Sequence, residues 1–546
     1  MKNWNILGMS TNTVDDIIEV LLKNRGIAKK DREVFLHPKD PVTLTPIDVG
    51  INIKELKRSF DRIQKAIKKK ESIVVYTDYD ADGITAGAIL WEALYELGAR
   101  VMPYVPHRVD EGYGLSEKGI DRVQKEFDPT LIITVDHGIT AVLPVAYAKK
   151  LGVDVVVTDH HVKPKEYPKC PLIHTTNLSG AGVSWFLVNM LLFKNKEKSR
   201  DLLALCAIGT IADMVPLVGA NRSIVVYGLK ELKKTKRFGI IALLKDAGIT
   251  QDEITTSDVS HVLAPRINAM GRLEHALDAL RLLCTKNADR ATSLAQVLHI
   301  TNSERQQLTI DTTLHAINVY KKKDVKTIPK ILVVSDVSYN QGVIGLVAGK
   351  LVEEYYRPAI VISVGEIISK ASVRSIAGFD IISFLRNHSS LLVDVGGHPM
   401  AAGFTIETKN IKKFTKEVEG AAEKNIKESQ LVRSITIDME IPLSTIQSSL
   451  YEKIQDFAPF GLGNPEPVFA TRKVTVESIR LIGAKQNHLK LKLSSFDAVG
   501  FGLGELYGKI KQGMTVDVAY TIDMNTWNGN STLQIKLRDL RPSTSE

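Results

Sequence analysis

The sequence predicts an α/β protein in which a parallel-sheet domain is followed by a long helix, a smaller α/β domain and a C-terminal β-barrel. Three observations predict this fold class. Short continuous apolar runs alternate with helix-like segments early in the chain, which is typical of buried parallel strands covered by helices. A periodic stretch without Gly or Pro extends from Ala288 to Lys322. Runs of alternating polarity, separated by Gly and Asn, end the chain and are typical of antiparallel strands.

The first half of the chain contains the predicted parallel sheet. Amphipathic spacing in Val14 to Leu22 predicts a small N-terminal helix, and loops containing proline follow it. An Ala- and Leu-rich helix is expected from Thr85 to Leu97. The apolar runs that predict the strands are Ile73–Tyr76, Val101–Val105, Leu131–Val135 and Val153–Val157. Sheets of this kind bind ligands at the carboxyl ends of their strands.

The second half contains the smaller α/β unit and the barrel. The α/β unit begins with the strand Ile331–Val334 and runs to about Leu431. The barrel is predicted by the alternating runs Val474–Ile479, His488–Leu493, Met514–Ile522 and Thr532–Leu537. The expected domains are residues 1–50 (N-terminal helical segment), 51–285 (parallel-sheet domain), 286–324 (connecting helix), 325–432 (second α/β domain) and 433–546 (barrel).

Composition excludes some classes of protein. The 546 residues include 71 Lys and Arg against 62 Asp and Glu, a net charge of +9, which permits a polyanionic partner without identifying one. The 3 cysteines form no close pair, so a disulfide framework and a structural cysteine zinc site are excluded. No signal peptide and no apolar run long enough to span a membrane is present, so we expect a soluble, cytoplasmic protein.

Acidic and histidine residues follow the predicted strands. Asp78, Asp80 and Asp82 come after the first strand, Asp136 and His137 after another, and Asp159, His160 and His161 after a third. Asp213 follows the apolar segment Leu202–Ile211, whose end we interpret as a fourth strand end. The carboxyl ends of parallel strands meet at one edge of a sheet, so these groups should lie together. Carboxylates packed closely repel one another, and cations relieve that cost.

The types of side chain favour a particular kind of metal centre. Carboxylates with histidine suit Mn²⁺ better than Ca²⁺, which prefers oxygen alone. Two ions about 3.5–4 Å apart are a common device for in-line attack on phosphorus. Taken singly, each acid is also compatible with a helix cap or a turn. Asp159 is compatible with a supporting role for the two histidines, and His137 and His161 with a role other than metal ligation, such as a phosphate contact.

The ordered motifs resemble a known family. Asp159-His160-His161, with Asp78-Tyr-Asp80-Ala-Asp82-Gly83 upstream and Asp213 downstream, resembles the DHH phosphoesterase superfamily. Other segments narrow the resemblance to the RecJ single-stranded-DNA exonucleases: Arg108-Val-Asp-Glu111-Gly-Tyr113-Gly-Leu-Ser, Ala264-Pro-Arg266-Ile-Asn268-Ala-Met-Gly271-Arg272, Gly342-Val-Ile-Gly345, Arg374-Ser-Ile-Ala-Gly378, Gly396-Gly397-His398-Pro and Pro459-Phe-Gly461-Leu-Gly463-Asn464. The resemblance implies DHH and DHHA1 domains joined by the long helix, and an OB-fold as the barrel.

The resemblance also implies roles for individual residues. Asp136, His160 and His161 would be catalytic, with Asp136 bridging the metals and His161 facing the scissile phosphate. The metal ligands would be Asp78, Asp80, Asp82, Asp136, His160 and Asp213, and they would bind two divalent ions, Mn²⁺ or Mg²⁺. The substrate would contact Arg108, Arg266, Asn268, Arg272, Arg374, Gly396, Gly397, His398 and Trp527. Structural ion pairs remain an alternative for Arg266, Arg272 and Arg374, and a tight turn for the paired glycines.

The implied function is single-stranded-DNA-specific 5′→3′ exonuclease activity. The enzyme would release 5′-mononucleotides by two-metal-ion hydrolysis in DNA repair and recombination, as a monomer, with a RecQ-type helicase and a single-strand-binding protein as partners. Two alternatives stay open: a DHH phosphodiesterase for short oligonucleotides or cyclic dinucleotides, which would not need the barrel, and an inactive DNA-binding scaffold, which would not need the acids. One departure concerns Tyr339-Asn340-Gln341, because relatives usually have Trp-His-Pro there; Asn340 puts a substrate role at that position in doubt.

Overall fold

The N-terminal segment contributes to the barrel at the other end of the sequence. A computed structural model describes residues 2–11, 13–108, 110–322, 328–494, 496–527 and 530–543. The chain begins with strand β1 (Asn3–Ile6) and helices α1 (Val14–Asn24), α2 (Arg32–Leu36) and α3 (Ile53–Lys69). The predicted N-terminal helix is therefore confirmed. Its apolar face, which includes Ile17 and Leu21, is buried in one core with Phe457 and Phe469 of the C-terminal region.

The predicted parallel sheet is confirmed. Strands β2 to β6 lie in the order β3-β2-β4-β5-β6 with every pairing parallel. The predicted helix Thr85–Leu97 begins earlier, at Ala81, because the Asp80 side chain caps it by accepting a hydrogen bond from the backbone N–H of Gly83. The elements are β2 (Ser72–Thr77), α4 (Ala81–Glu96), β3 (Arg100–Tyr104), α5 (Glu117–Phe127), β4 (Leu131–Val135), α6 (Val142–Lys150), β5 (Asp154–Asp159) and β6 (Leu172–His174).

Helices follow the sheet and complete its core. They are α7 (Gly180–Leu191), α8 (Lys196–Ala212), α9 (Gly219–Leu232), α10 (Phe238–Asp246), α11 (Thr256–Asp258), α12 (Ala264–Leu273) and α13 (Leu277–Cys284). The expectation that Asp213 follows a strand is wrong, because Leu202–Ile211 lies inside α8. That helix packs against α4, α7 and α9, so its residues from Leu202 to Ile211 are buried. A short apolar run of this kind does not distinguish a strand from a buried helix.

Helix α14 (Ala288–Lys322) is 35 residues long and confirms the predicted long helix. The chain forms two units, Ile6–Ile300 with Thr436–Glu546 and Met1–Asn5 with Thr301–Ile435, and α14 passes from one into the other. Within the described ranges, no helix is both long enough and apolar enough to cross a membrane.

The unit that contains Thr301–Ile435 is built on a mixed sheet. Its strands lie in the order β10-β11-β9-β8-β7, and only the β7–β8 pairing is parallel among those described. Phe404 and Phe414 pack together in its core. The elements are β7 (Leu332–Asp336), α15 (Ile344–Tyr355), β8 (Ala359–Ser363), β9 (Ile368–Arg374), α16 (Ile381–Arg386), β10 (Asp394–His398), β11 (Ala401–Glu407) and α17 (Ile411–Asn425).

The predicted barrel is also confirmed. Strands β14, β15, β16, β18 and β17 pair in that order, and the antiparallel β14–β17 pairing closes the barrel. The β16–β18 pairing is parallel, so the barrel is not wholly antiparallel. The last elements are β12 (Ser434–Ile437), which pairs with β1, β13 (Met439–Glu440), α18 (Ser448–Gln455), β14 (Phe469–Ile482), β15 (His488–Leu493), β16 (Phe496–Gly500), β17 (Thr515–Trp527) and β18 (Asn530–Pro542).

A buried arginine connects the helical layer to the barrel. Arg222 of α9 is 1% exposed, and its guanidinium donates to the backbone carbonyls of Phe35 (2.6 Å), Phe457 (2.8 Å) and Ala458 (2.9 Å). The same group lies 4.2 Å from the centre of the Phe35 ring. Burial lowers the pKa of Arg222 to about 10. One side chain therefore satisfies carbonyls from the N-terminal segment and from the segment that precedes the barrel.

Replacing Arg222 should destabilise this unit strongly. Arg222→Met leaves several buried carbonyls without a donor, and we expect the free energy of unfolding to fall by about 3 kcal/mol. The matched control is Arg281→Met, because Arg281 makes a partly exposed ion pair with Asp278 at 2.8 Å that contributes under about 1 kcal/mol. Urea denaturation measures both variants. Equal losses in the two would contradict the structural role of Arg222.

Candidate metal centre

The loop after β2 directs three carboxylates to the carboxyl edge of the parallel sheet. Asp78 accepts a hydrogen bond from the N–H of Tyr79 (2.6 Å), and Asp80 caps α4. Asp82 lies in the first turn of α4, and its two oxygens accept from the N–H groups of Gly180 (2.6 Å) and Ala181 (2.9 Å) at the start of α7. Two helix N-termini therefore stabilise negative charge in this loop.

Asp136 follows β4 in a left-handed backbone conformation. Its φ is +67°, and its N–H donates to the carbonyl of Thr158 at 3.1 Å. A Cβ atom on Gly180 would lie 2.3 Å from Asp136 Oδ1. Only glycine therefore allows α7 to begin beside this carboxylate.

Asp159 positions the two histidines that follow it. Its Oδ1 accepts from the N–H of His160 (2.7 Å) and from Nδ1 of His161 (2.8 Å), and its Oδ2 accepts from the N–H of Ile139 (2.8 Å). Burial opposes the charge on both partners, but the hydrogen bond and mutual attraction outweigh it. They hold the pKa of Asp159 at about 2 and raise the pKa of His161 to about 9. The geometry thus gives Asp159 the supporting role that its sequence position permitted.

His160 faces the carboxylates directly. Its Nε2 lies 3.1 Å from Asp136 Oδ1, 3.5 Å from Asp213 Oδ2 and 4.0 Å from Asp82 Oδ2. Both Nε2 and Asp136 Oδ1 are buried and have no hydrogen-bond partner among the described residues. Nε2 can therefore act as an acceptor toward a cation. Burial lowers the pKa of His160 to about 4, so its ring is neutral at pH 7.

The donor atoms fit divalent cations. Within the described part of the chain, three groups have ligand atoms that all lie within 4.8 Å of one another: Asp78, Asp80 and Asp136; Asp82, His160 and Asp213; and Asp136, His160 and His161. Asp136 and His160 each belong to two groups. The Asp136 carboxylate has two oxygens and could contact more than one ion, whereas His160 Nε2 has one lone pair and would bind a single ion. Carboxylates with a neutral imidazole suit Mn²⁺ and similar metals.

The carboxyl groups are unfavourable as free anions. Burial, followed by repulsion from the other carboxylates, raises the pKa of Asp82 to about 7 and that of Asp213 to about 8. The same two causes raise the pKa values of Asp78 and Asp136 well above the ordinary range. A bound cation would remove the repulsion and favour the ionised forms. The centre therefore favours positive charge, of which His161 and Arg108 supply a part.

The predicted substrate residues near this centre have different surroundings. Arg108 lies 5.0 Å from the centre of the Tyr79 ring, and its charge lowers the pKa of Asp78 against the larger effect of burial. The positive charge of Arg272 lowers the pKa of Tyr79 against the larger effect of burial. Asn268 accepts a hydrogen bond from the N–H of Ala81 at 2.7 Å, so it holds the acidic loop.

Arg266 makes the type of structural contact that the sequence left as an alternative. Its guanidinium donates to the carbonyl of Val262 at 3.0 Å and lies 3.5 Å from a carboxylate oxygen of Asp246.

The other predicted substrate residues lie in the Thr301–Ile435 unit, except for Trp527. Arg374 donates to the carbonyl of Val373 (2.9 Å), and His398 is exposed on β10. Gly396 and Gly397 pair with β11; Gly397 has a φ of +140°, and a Cβ there would lie 2.4 Å from the carbonyl oxygen of Ala401.

Asn340, at the position where relatives usually have His, accepts from the N–H of Gly342 (2.7 Å) within its own turn. The side chain of Trp527 lies outside the described residues.

One functional element could not be identified from the sequence, and the sequence did not decide whether His137 is a metal ligand. The missed element is the Gly180-Ala181 pair, whose N–H groups hold Asp82 and whose small size admits Asp136. The small residues after Ser179 hint at a close contact, but the sequence does not show that the contact is with Asp82 and Asp136. His137 is buried; its Nε2 lies 3.1 Å from the carbonyl oxygen of Tyr76, and its ring contacts the Tyr76 ring edge-on.

The chain is similar to known exonucleases along almost its whole length. Family models match at residues 72–210 (DHH family, N-terminal domain), 329–424 (DHHA1 domain) and 437–539 (RecJ OB domain). The chain is 35% identical to the single-stranded-DNA-specific exonuclease RecJ of Bacillus subtilis, covering 96% of this chain and 68% of the relative. For the RecJ of Thermus thermophilus the identity is 32%, covering 95% and 74%.

Two solved structures share the architecture. The crystal structure of Thermus thermophilus RecJ in complex with Mn²⁺ matches with a TM-score of 0.85 and 29% identity, covering 100% of this chain and 80% of that one. The corresponding complex with Mg²⁺ matches with a TM-score of 0.77 and 28% identity, covering 100% and 79%.

The close approach of α7 to Asp136 gives a test of the centre. Gly180→Ala should displace the carboxylate, because a Cβ at 2.3 Å from Oδ1 cannot be accommodated without movement. We expect the affinity for Mn²⁺, measured by titration calorimetry, to fall by at least about tenfold. Gly349→Ala is the control, since its Cβ would meet no atom within 4 Å in α15. Unchanged affinity in Gly180→Ala would contradict the proximity of α7 to a metal ligand.

Proposed function

Because the chain belongs to the RecJ family of single-stranded-DNA-specific exonucleases, we propose that its acid and histidine cluster is the centre that hydrolyses the phosphodiester bond. The enzyme is metal-dependent and acts on single-stranded DNA, as its family does. The single observation that carries the proposal is the buried contact between Asp136 Oδ1 and His160 Nε2 at 3.1 Å, in which neither atom has a hydrogen-bond partner among the described residues. A cation between these two atoms would satisfy both, and the surrounding carboxylates favour a divalent one.

Two divalent ions are the proposed cofactor, with Mn²⁺ or Mg²⁺ as the metal. The residues that would hold them are Asp78, Asp80, Asp82, Asp136, His160 and Asp213, with Asp136 shared. One Thermus thermophilus RecJ structure is a complex with Mn²⁺ and the other a complex with Mg²⁺, and the donor set suits Mn²⁺. When bound, such ions supply positive charge that activates water and offsets charge building up on the phosphate.

His161 is proposed to contact the scissile phosphate. Its Nδ1 is fixed by Asp159, and its Nε2 lies 3.5 Å from the Tyr113 hydroxyl. With a pKa of about 9, the imidazole is protonated at pH 7 and can donate a charge-assisted hydrogen bond from Nε2 to a phosphate oxygen. Arg108 and Arg272 are proposed to bind neighbouring phosphates, for which guanidinium geometry is apt.

The barrel is proposed to bind the strand. On β15, Lys490 and Lys492 alternate with buried leucines, so both lysines lie on the outer face. Arg480 of β14 is the direct partner of Lys490 and adds a third cation to that face. Basic faces of OB-folds bind the backbone of single strands. Trp527 is kept as a proposed stacking residue on the family resemblance.

Further parts of the proposal rest on the family resemblance alone. These are the 5′→3′ direction, the release of 5′-mononucleotides, the role in repair and recombination, and the phosphate contacts of Arg374, Gly396, Gly397 and His398. The cytoplasmic location, the monomeric state and the helicase and single-strand-binding partners also stay predictions.

The experiment uses long single strands labelled at either end, with purified protein and Mn²⁺. We expect release of the 5′ label as mononucleotide, loss of this activity with EDTA, and a fall of at least about a hundredfold in Asp136→Asn. Asp154→Asn is the matched control, because Asp154 lies at the opposite end of β5 with 61% of its side chain exposed, and it should retain full activity.

Each other outcome supports a different function. Release of the 3′ label before the 5′ label would contradict the proposed 5′→3′ direction. Cleavage confined to short oligonucleotides or cyclic dinucleotides would favour the small-substrate phosphodiesterase. Tight strand binding without hydrolysis in any divalent metal would favour the inactive scaffold.

A further inference from the structure

We propose that Glu111 is a positioning residue that fixes Arg108 and Tyr113 beside the metal centre. It would do so by anchoring the Arg108 loop, which comprises residues 107–108 and 110–115. The inference rests on the proposed function, because it assigns Glu111 a part in the same hydrolysis. Glu111 itself does not touch the reacting atoms. Its carboxylate is buried against the sheet and α5, and its effect on the reaction passes through the loop.

The Glu111 carboxylate is completely enclosed and fully hydrogen-bonded. Its side chain is 0% exposed. Oε2 accepts from the Tyr104 hydroxyl of β3 at 2.7 Å, and Oε1 accepts from Arg122 Nη1 of α5 at 2.6 Å. Oε1 also accepts from the backbone N–H of His107 at 3.1 Å, where the loop begins. One carboxylate therefore joins the last residue of a strand, a helix and the first residue of the loop.

Helix α5 is shaped to receive this carboxylate. A Cβ atom at Gly119 would lie 2.1 Å from the Tyr76 hydroxyl and 3.0 Å from Glu111 Oε2, so glycine provides the space. Lys118 makes a second connection from α5 to the loop by donating to the carbonyl of Asp110 at 2.7 Å. Two successive residues of the loop are therefore attached to one helix.

The anchored loop carries two side chains to the metal centre. Arg108 lies over the Tyr79 ring, and Tyr113 packs edge-on against the same ring at 6.2 Å between centres. The Tyr113 hydroxyl lies 3.5 Å from His161 Nε2. Gly112 and Gly114 flank Tyr113 with φ values of +84° and +73°, so the backbone turns on both sides of it. A continuous set of contacts thus runs from Glu111 through the loop to Tyr79 and His161.

The anchor depends on charge and on acceptor geometry. Glutamine has nearly the same shape as glutamate, but its amide replaces one acceptor oxygen with a donor. In Glu111→Gln the amide N–H₂ can turn toward the Tyr104 hydroxyl, which then accepts, but the neutral oxygen that remains binds Arg122 and the His107 N–H more weakly than a carboxylate does. The core of the sheet and α5 does not depend on this carboxylate, whereas the bond at the first residue of the loop is weakened. A displacement of about 1 Å at a catalytic centre costs up to about a hundredfold in rate.

A double-mutant cycle tests the inference. The full-length enzyme with Mn²⁺ and labelled single strands gives kcat/KM for Glu111→Gln in two backgrounds, wild type and Arg108→Ala/Tyr113→Phe. We expect a fall of about tenfold or more in the wild-type background and of less than about twofold where the two positioned groups are absent. Glu117→Gln is the matched control, since Glu117 is exposed in the first turn of the same helix. It should keep wild-type kcat/KM.

The alternative is that Glu111 only stabilises the fold. Equal losses of kcat/KM in both backgrounds, accompanied by a lower Tm, would overturn the inference. Arg122→Gln keeps the test decisive if Glu111→Gln fails to fold, because it removes one donor whose own side chain is 45% exposed. The fall in kcat/KM caused by Arg122→Gln should likewise be larger in the wild type than in Arg108→Ala/Tyr113→Phe. Failure of the wild-type enzyme to release nucleotides would instead contradict the proposed function, and the two failures are therefore distinguishable.

Discussion

Repulsion among carboxylates that share one edge of the parallel sheet is the constraint on which the rest of the site depends. Asp78, Asp82 and Asp136 are each at most 3% exposed, and burial with mutual repulsion raises their pKa values. The fold relieves part of this cost: α4 and α7 direct their N-termini at the acids, and the cation His161 lies next to them. The unpartnered Asp136 and His160 atoms show that this relief is incomplete. A divalent cation supplies the remainder, so metal dependence follows from the packing as well as from the family.

The supporting structure can be understood as layers around those acids. Gly180 lets α7 approach Asp136, Asn268 holds the acidic loop through Ala81, and Asp159 orients both histidines. Further out, Glu111 secures the loop that carries Arg108 and Tyr113. Arg222 joins the helical layer to the region that precedes the barrel, within the same unit. The basic outer face of β15 lies in the same unit as the acids.

Much of this arrangement could be predicted from the sequence, and the exceptions have physical reasons. Continuous apolar runs identified the parallel strands, and the strand ends identified the acids, because parallel topology brings carboxyl ends together. Asp213 was expected after a strand but follows α8, since a buried helix and a buried strand share an apolar pattern. Gly180 could not be recognised because its importance depends on a carboxylate that is distant in sequence. Arg266 stays a predicted substrate residue, and its contacts with Val262 and Asp246 could not be recognised from the sequence because they form only in the folded chain.

The number of Mn²⁺ ions bound per chain, measured by electron paramagnetic resonance of the free ion during a titration, tests whether these acids hold two ions. We expect two ions per chain at saturation in the wild type and a loss of at least one in Asp136→Asn, because the Asp136 carboxylate belongs to two of the ligand groups. Equal binding by the wild type and Asp136→Asn would contradict the claim that Asp136 lies between the ions. So would the absence of saturable binding in the wild type.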